Sequence, residues 1–178
     1  VLTGGEYMAI DHNRNVVHIN TPFDDIIIKL NTKLNGTYIS YGALGSSKME
    51  MQSLQDNNAM ELEEAVAVKR AVSKSSRLYN NKNWDLVDAY DDKEFDVEEI
   101  VKEQLPKVLQ NKSKKEITSY IESKKKERKE IQKEIQRLNV KREAYIVKNK
   151  KDNVSGELEN AMLRAIKKQA KVKNYSWE

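Results

Sequence analysis

Residues 111–151 run without a single glycine or proline, and their apolar side chains fall on alternating spacings of three and four. Ile117, Ile121, Ile131, Ile135, Leu138 and Tyr145 form one seam, which predicts a long amphipathic helix. An element of that length dominates a chain of 178 residues and must lie along something that covers its apolar side. Lys124, Arg128 and Arg142 occupy seam positions too. Cations in the middle of a seam make a poor parallel coiled-coil dimer. They predict instead an antiparallel helical hairpin, or a helix laid on a flank of its own domain. Glu122 with Lys126, Glu130 with Lys133 and Glu134 with Arg137 add pairs of a few tenths of a kcal/mol each.

The same segment carries most of the positive charge. Lys112 to Lys151 has a net charge of +9, against −6 for residues 1–111 and +1 for residues 152–178. An acidic part is joined to a basic rod. With charged residues at 34% and only 2 prolines and 6 glycines, the composition favours elongated helices over a many-turned sandwich. No apolar run approaches the roughly twenty residues that a membrane-spanning helix needs. The rod's Lys and Arg are interleaved with Glu, and Tyr120 and Tyr145 sit on or beside the apolar seam. That pattern reads as a solvated helix face ahead of a nucleic-acid surface.

The N-terminal 45 residues read as α/β. Tyr7–Ile10 and Val16–Ile19 flank the polar stretch Asp11–Asn15 and predict a β-hairpin. Thr21 reads as a helix N-cap, with Pro22 at the first helical position and Asp24 and Asp25 in the first turn, where the helix dipole favours them. Ile26, Ile27, Leu30 and Leu34 give the helix its face, and Asn35-Gly36 closes it with a residue able to adopt positive φ. Thr37–Gly42 has the content of a strand. These pieces need sheet neighbours, and a chain opening on Val1-Leu2-Thr3 reads as part of a longer polypeptide.

From Met49 to Tyr79 the periodicity predicts one long helix, with a break near Asp56-Asn57-Asn58. Asn80–Asn83 is a polar stop. Trp84–Tyr90 predicts a short amphipathic helix, in which Trp84, Leu86, Val87 and Tyr90 are the candidate anchor for a partner or for the sheet domain. Glu94–Leu109 reads as a further helical stretch interrupted by Pro106, and Leu158, Met162, Ala165, Ile166 and Ala170 mark a last amphipathic helix before Tyr175 and Trp177.

Motifs with chemistry are few. Asp11, Asn13 and Asn15 copy the first ligand positions of a calcium loop, but Val16 and Pro22 stand where glycine and a bidentate Glu are needed, so the stretch reads as a hairpin loop. His12 and His18 have no third ligand in the pattern. Gly4-Gly5 lacks the remainder of a phosphate loop. With no cysteine, thiolate zinc sites and cysteine nucleophiles are excluded. Asp24-Asp25 and Asp91-Asp92 are adjacent pairs whose members point different ways. No nucleophile and base combination emerges, and no catalytic, cofactor or metal-ligating residue is assigned.

Thr21-Pro22-Phe23-Asp24-Asp25 through Leu30-Asn31-Thr32-Lys33-Leu34-Asn35-Gly36-Thr37-Tyr38-Ile39-Ser40-Tyr41-Gly42 resembles the C-terminal end of the von Willebrand factor A domain in a group of bacterial, Bacteroidota-type envelope proteins. The following Ala71–Ser76, Asn83–Ala89, Leu105-Pro106 and Glu130–Gln136 resemble the helical extension of that group. The resemblance implies the end of a doubly wound α/β sheet at residues 1–45. A helical extension would cover 46–110, a long basic amphipathic helix 111–152, and a C-terminal helix and tail 153–178, so the chain as a whole would be mostly α. It also implies a non-enzymatic protein-binding or assembly role in the cell envelope, in the periplasm. In that group a divalent cation such as Mg sits at a D-x-S-x-S loop; this sequence lacks one, so the site either lies upstream of Val1 or does not exist. Two other readings stand beside it: a helical adaptor subunit of a larger envelope secretion or surface complex, and a nucleic-acid binder whose affinity falls steeply with salt.

Overall fold

The computed structural model describes residues 19–92, 95–96, 100–149 and 157–172. The expected hairpin, Gly4-Gly5, the Asp11–Asn15 loop, His12, His18 and the terminal Tyr175 and Trp177 lie outside these residues. The chain divides into two compact units, Asn20–Ile146 and the combination of Val1–Ile19 with Val147–Glu178. The architecture is mostly helical. Seven α-helices are described: α1 Asp24–Asn35, α2 Gly45–Leu62, α3 Glu64–Lys74, α4 Leu86–Ala89, α5 Lys107–Gln110, α6 Lys114–Asn149 and α7 Glu157–Val172.

Helix α1 is set by its own first turn. The Thr21 hydroxyl donates to Asp24 Oδ1 at 2.7 Å and the Thr21 amide donates to Oδ2 at 3.0 Å, while Phe23 N donates to the Thr21 hydroxyl at 3.3 Å. This reciprocal Thr–Asp arrangement satisfies donors that the helix cannot. Because Pro22 and Phe23 are taken up in that turn, the helix opens at Asp24, after Pro22 instead of on it. At the other end Gly36 has φ −69°, ordinary right-handed backbone, so the expected left-handed cap is absent there. The positive φ of this region belongs to Gly42, at 76°.

The expected strand at Thr37–Gly42 is reduced to one antiparallel bridge, Ser40 with Asp85. Tyr41 N donates to Trp84 O at 2.9 Å and Leu86 N to Ile39 O at 2.8 Å. Pairing stops because α4 begins at Leu86 and draws the second chain out of line. Among the described residues there is no β-sheet, and the α/β remnant expected at residues 1–45 is not seen.

The expected helix over Met49–Tyr79 is two helices, and its break lies at Glu63, not near Asp56–Asn58. Glu63 is extended, with φ −171° and ψ 141°. The break turns α3 back to pack against both α1 and α2. Asp56 stays helical because its carboxylate is fully engaged. It accepts from Asn35 Nδ2 at 2.7 Å, Arg70 Nε at 2.6 Å and Lys74 Nζ at 2.6 Å, tying α1, α2 and α3 together. Burial works against its charge, but these donors hold its carboxyl below the usual range. Downstream, among the described residues of the stretch expected to be helical over Glu94–Leu109, there are the 3-10 turn Lys102–Gln104 and then the one-turn α5, which starts directly after Pro106.

Helix α6 is the long rod that the periodicity predicts, with 36 residues. Ser113 and Glu116 cap its start reciprocally, the Ser113 hydroxyl donating to Glu116 Oε2 at 2.7 Å. It lies on the flank of its own domain. Ile117 and Ile121 join Ile39, Leu86, Val87, Leu105 and Leu109 in one apolar cluster. Ile131, Ile135 and Leu138 join Ile27, Leu34, Tyr38, Val68, Ala71 and Trp84 in a second. Gln136 adds bonds to Val72 O and the Ser75 hydroxyl of α3 and its cap. Tyr145, at the far end of the expected seam, is more than a third exposed.

In the other unit, α7 carries Met162, Leu163 and Ile166 with side chains about half exposed. No helix among the described residues is long and apolar enough to cross a membrane.

Candidate functional site

The segment that the sequence marks as an anchor is built around a buried carboxylate. Asp85 caps α4, accepting from Asp88 N at 3.1 Å, and its Oδ1 accepts from Ile39 N at 2.8 Å across the bridge. It is fully buried. An ionised group there demands a charged partner, and Arg128 from the middle of α6 supplies it. Arg128 Nη1 reaches Asp85 Oδ2 at 2.6 Å and Asp88 Oδ1 at 2.8 Å. Its Nε donates to the Thr37 hydroxyl at 3.0 Å and Nη2 to Thr37 O at 2.8 Å. Burial opposes the guanidinium charge, yet Asp85 and Asp88 leave it more firmly protonated than usual. Asp88 is moved the other way. Burial and the neighbouring Asp85 raise its carboxyl, with Arg128 opposing.

An aromatic layer covers this ion cluster. The guanidinium of Arg128 lies 4.2 Å from the Tyr38 ring centroid, and Tyr38 stacks on Trp84 with centroids 5.6 Å apart and planes at 28°. Burial pushes the Tyr38 phenol upward. Of the four candidate anchor residues, Trp84, Leu86 and Val87 are buried in the chain's own clusters. Tyr90 is half-buried at the edge of the second cluster, its hydroxyl 3.4 Å from Glu122 Oε1. Trp84 and Leu86 thus belong to different clusters, on the two sides of the Arg128 group.

A second buried pair repeats the scheme two heptads along α6. Arg142 Nε donates to Asp24 Oδ1 at 2.8 Å, with side chains 4% and 1% exposed. Burial raises the Asp24 carboxyl, but the two Thr21 bonds and Arg142 outweigh it and hold it below the usual carboxylate range. Lys125 pairs with Asp91. The charge asymmetry of the sequence is therefore met in part inside the molecule, with the acidic body facing the basic rod.

Sequence reasoning noticed Arg128 and Arg142 as seam cations and missed their acceptors. The available signal was their separation of 14 residues, two whole heptads, together with carboxylates at Asp85 and Asp88 one turn apart.

Among the described residues an open groove of about 440 Å³ runs along α2, bordered by Ser40, Met49, Glu50, Ser53, Leu54 and Asn57. Beside it runs a row of exposed large apolar residues: Leu44 at 64%, Met51 at 55%, Leu54 at 55% and Leu62 at 77%. At about 100° per residue these four fall within roughly a quarter turn of one another. Their side of the helix is distinct from the one that buries Gln52 and Ala59. Compared with protein-family models, with curated proteins and with solved structures, the chain finds no match in any of the three.

Proposed function

We propose that this chain is a non-enzymatic protein-interaction and assembly module that presents the outer side of α2 to a protein partner with an apolar face of its own. The observation that carries the reading is the row Leu44, Met51, Leu54 and Leu62. Four large apolar side chains, each more than half exposed, line one side of a helix whose other side is held rigidly. The exposed Ser47, Lys48, Gln55 and Asn58 lie between them on that side, so the surface mixes apolar and polar groups, as protein contacts commonly do. The Asp56 network fixes α2 to α1 and α3, so little conformational entropy is lost when this face binds.

Through its resemblance to the envelope proteins, the module would be the helical extension behind a von Willebrand A-type domain in the periplasm. A divalent cation, if one is used, would be held by that domain upstream of Val1. The adaptor-subunit reading shares the same surface and differs only in what it docks to. The nucleic-acid reading loses support from Arg128 and Arg142, whose charges point inward at carboxylates.

A photoreactive side chain at position 54 tests the proposal against one at exposed position 126 on α6. Irradiation in extract of the native source gives a discrete protein adduct from position 54 and none from 126. Equal labelling from both positions, or none from 54, refutes the reading.

A further inference from the structure

Helix α7 sorts its side chains by kind. Between Met162 and Val172 it carries four cations, Arg164, Lys167, Lys168 and Lys171, and no carboxylate. At about 100° per residue, Met162, Leu163, Ile166 and Ala170 fall within roughly 100° of arc. The four cations fill another arc of about 100°, which begins beside Leu163 and runs round to the opposite side. Met162, Leu163 and Ile166 are nearly half exposed, and the four cations are exposed. The other long helices are built differently. On α6 the outward Lys and Arg alternate with Glu122 and Glu130, and the apolar seam is buried against the body. On α2 the apolar row is interrupted by Ser47, Lys48, Gln55 and Asn58.

The separation on α7 selects the chemistry of its partner. An apolar strip flanked by charge of a single sign calls for a surface that is anionic throughout and apolar just beneath. An anionic lipid bilayer offers both, in that order and at every rotation about its normal, so no shaped pocket is required. Length agrees with this. Sixteen residues rise about 24 Å, short of the roughly twenty residues that a spanning helix needs but ample for one lying in the headgroup plane. Lys167 borders the apolar arc, and its long stem lets the ammonium reach lipid phosphates while the helix lies flat.

We infer that α7 is an interfacial anchor for an anionic membrane surface. Met162, Leu163 and Ile166 enter the boundary between headgroups and acyl chains, and the lysines on its flank pair with lipid phosphates. The anchor belongs to the unit that does not hold α2, and it does not rest on what α2 binds.

The full chain is tested by co-sedimentation with vesicles of phosphatidylcholine alone and with vesicles in which about a third of the lipid is phosphatidylglycerol. Binding to the anionic vesicles is expected, at least about tenfold tighter than to the neutral ones. Lys167→Gln with Lys171→Gln is expected to weaken it about 25-fold, because each cation near an anionic surface contributes about fivefold. Ile166→Gln, and separately Met162→Gln, weakens it by on the order of tenfold. The control pair Lys126→Gln with Lys133→Gln, on the exposed side of α6, has a smaller effect than the α7 pair. The chain has no cysteine, so a nitroxide at Leu163→Cys reads insertion directly in an otherwise unaltered protein. On anionic vesicles it gains collisions with oxygen and loses those with a water-soluble relaxant, while one at Ser47→Cys on α2 does not. Equal binding to both vesicles, binding to neither, or anionic binding that Ile166→Gln and Met162→Gln leave intact overturns the inference. A larger loss from the α6 pair, or a label at 163 that stays in water, overturns it too. Retention of a duplex oligonucleotide without vesicle binding assigns the cations to nucleic acid and overturns it as well.

Discussion

Removing Arg142 while leaving Asp24 in place isolates the cost of one unpaired buried charge. In the parent, the Asp24 carboxylate is 1% exposed and accepts from the Thr21 amide, the Thr21 hydroxyl and Arg142 Nε. Arg142→Met keeps most of the aliphatic stem and removes the counter-charge, so lost packing contributes little. Breaking a buried pair from one side costs about 3–5 kcal/mol, and the two Thr21 bonds that survive place this case near the lower end, about 3 kcal/mol at neutral pH. Adding Asp24→Asn removes the stranded charge, and the double variant is expected within about 1.5 kcal/mol of the parent, a coupling of about 2 kcal/mol. The assay is urea unfolding followed by helical circular dichroism, with the cycle closed at each pH. The pH dependence has a definite sign. The folded carboxyl of Asp24 lies below its ordinary 3.8, so in the parent it contributes stability that is present above 3.8 and lost as pH falls through the folded value. Without Arg142 the carboxyl loses two of the influences that lower it and titrates higher than in the parent, so the cost of the single substitution shrinks as pH falls. A cost under about 1 kcal/mol at neutral pH, or effects of the two substitutions that simply add, would refute the argument.

Trp84→Ala removes a side chain 7% exposed and stacked on Tyr38, and is expected to cost about 3–5 kcal/mol by chemical denaturation, with Trp84→Phe well below that. A near-neutral Trp84→Ala would mean that the layer over Arg128 is not packed as described. Asp88 behaves in the opposite way to Asp24. Its folded carboxyl is raised above 3.8, so the folded state holds that proton more tightly and the parent loses stability as pH rises from about 3.8 through the folded value. Asp88→Asn abolishes this loss, and the stability of the variant relative to the parent rises between about pH 4 and pH 7 in parallel urea titrations. A pH-independent difference would show that Asp88 is not the group responsible.

Helix α6 was legible from the sequence because its causes are local. Freedom from glycine and proline, the spacing of isoleucines from Ile117 to Ile135, and the Ser113–Glu116 cap all act within a few turns, and the helix follows from them. The placing of α6 on a flank of its own domain, one of the two arrangements expected from Arg128 and Arg142 on the seam, was legible too. The α1 helix was foreseen for the same reason, although its N-cap is Phe23 and not the expected Thr21, and the helix expected over Trp84–Tyr90 is confined to Leu86–Ala89, with Asp85 as its N-cap.

What required the tertiary structure is everything that joins residues far apart in the chain. Asp85 meets Arg128 across 43 positions and Asp24 meets Arg142 across 118, and no local pattern says which carboxylate will face which guanidinium. The helix break falls at Glu63 because α3 must return to pack on α1 and α2, while Asp56, with the more break-prone neighbourhood, is held in helix by Lys74, Arg70 and Asn35. Thr37–Gly42 has strand propensity, but a strand needs neighbours to pair with, and only Asp85 lies opposite before α4 turns away. Periodicity and capping are properties of a few turns of chain, and they settled the rod. Burial of charge is a property of the assembled body, and it decided where the rod lies.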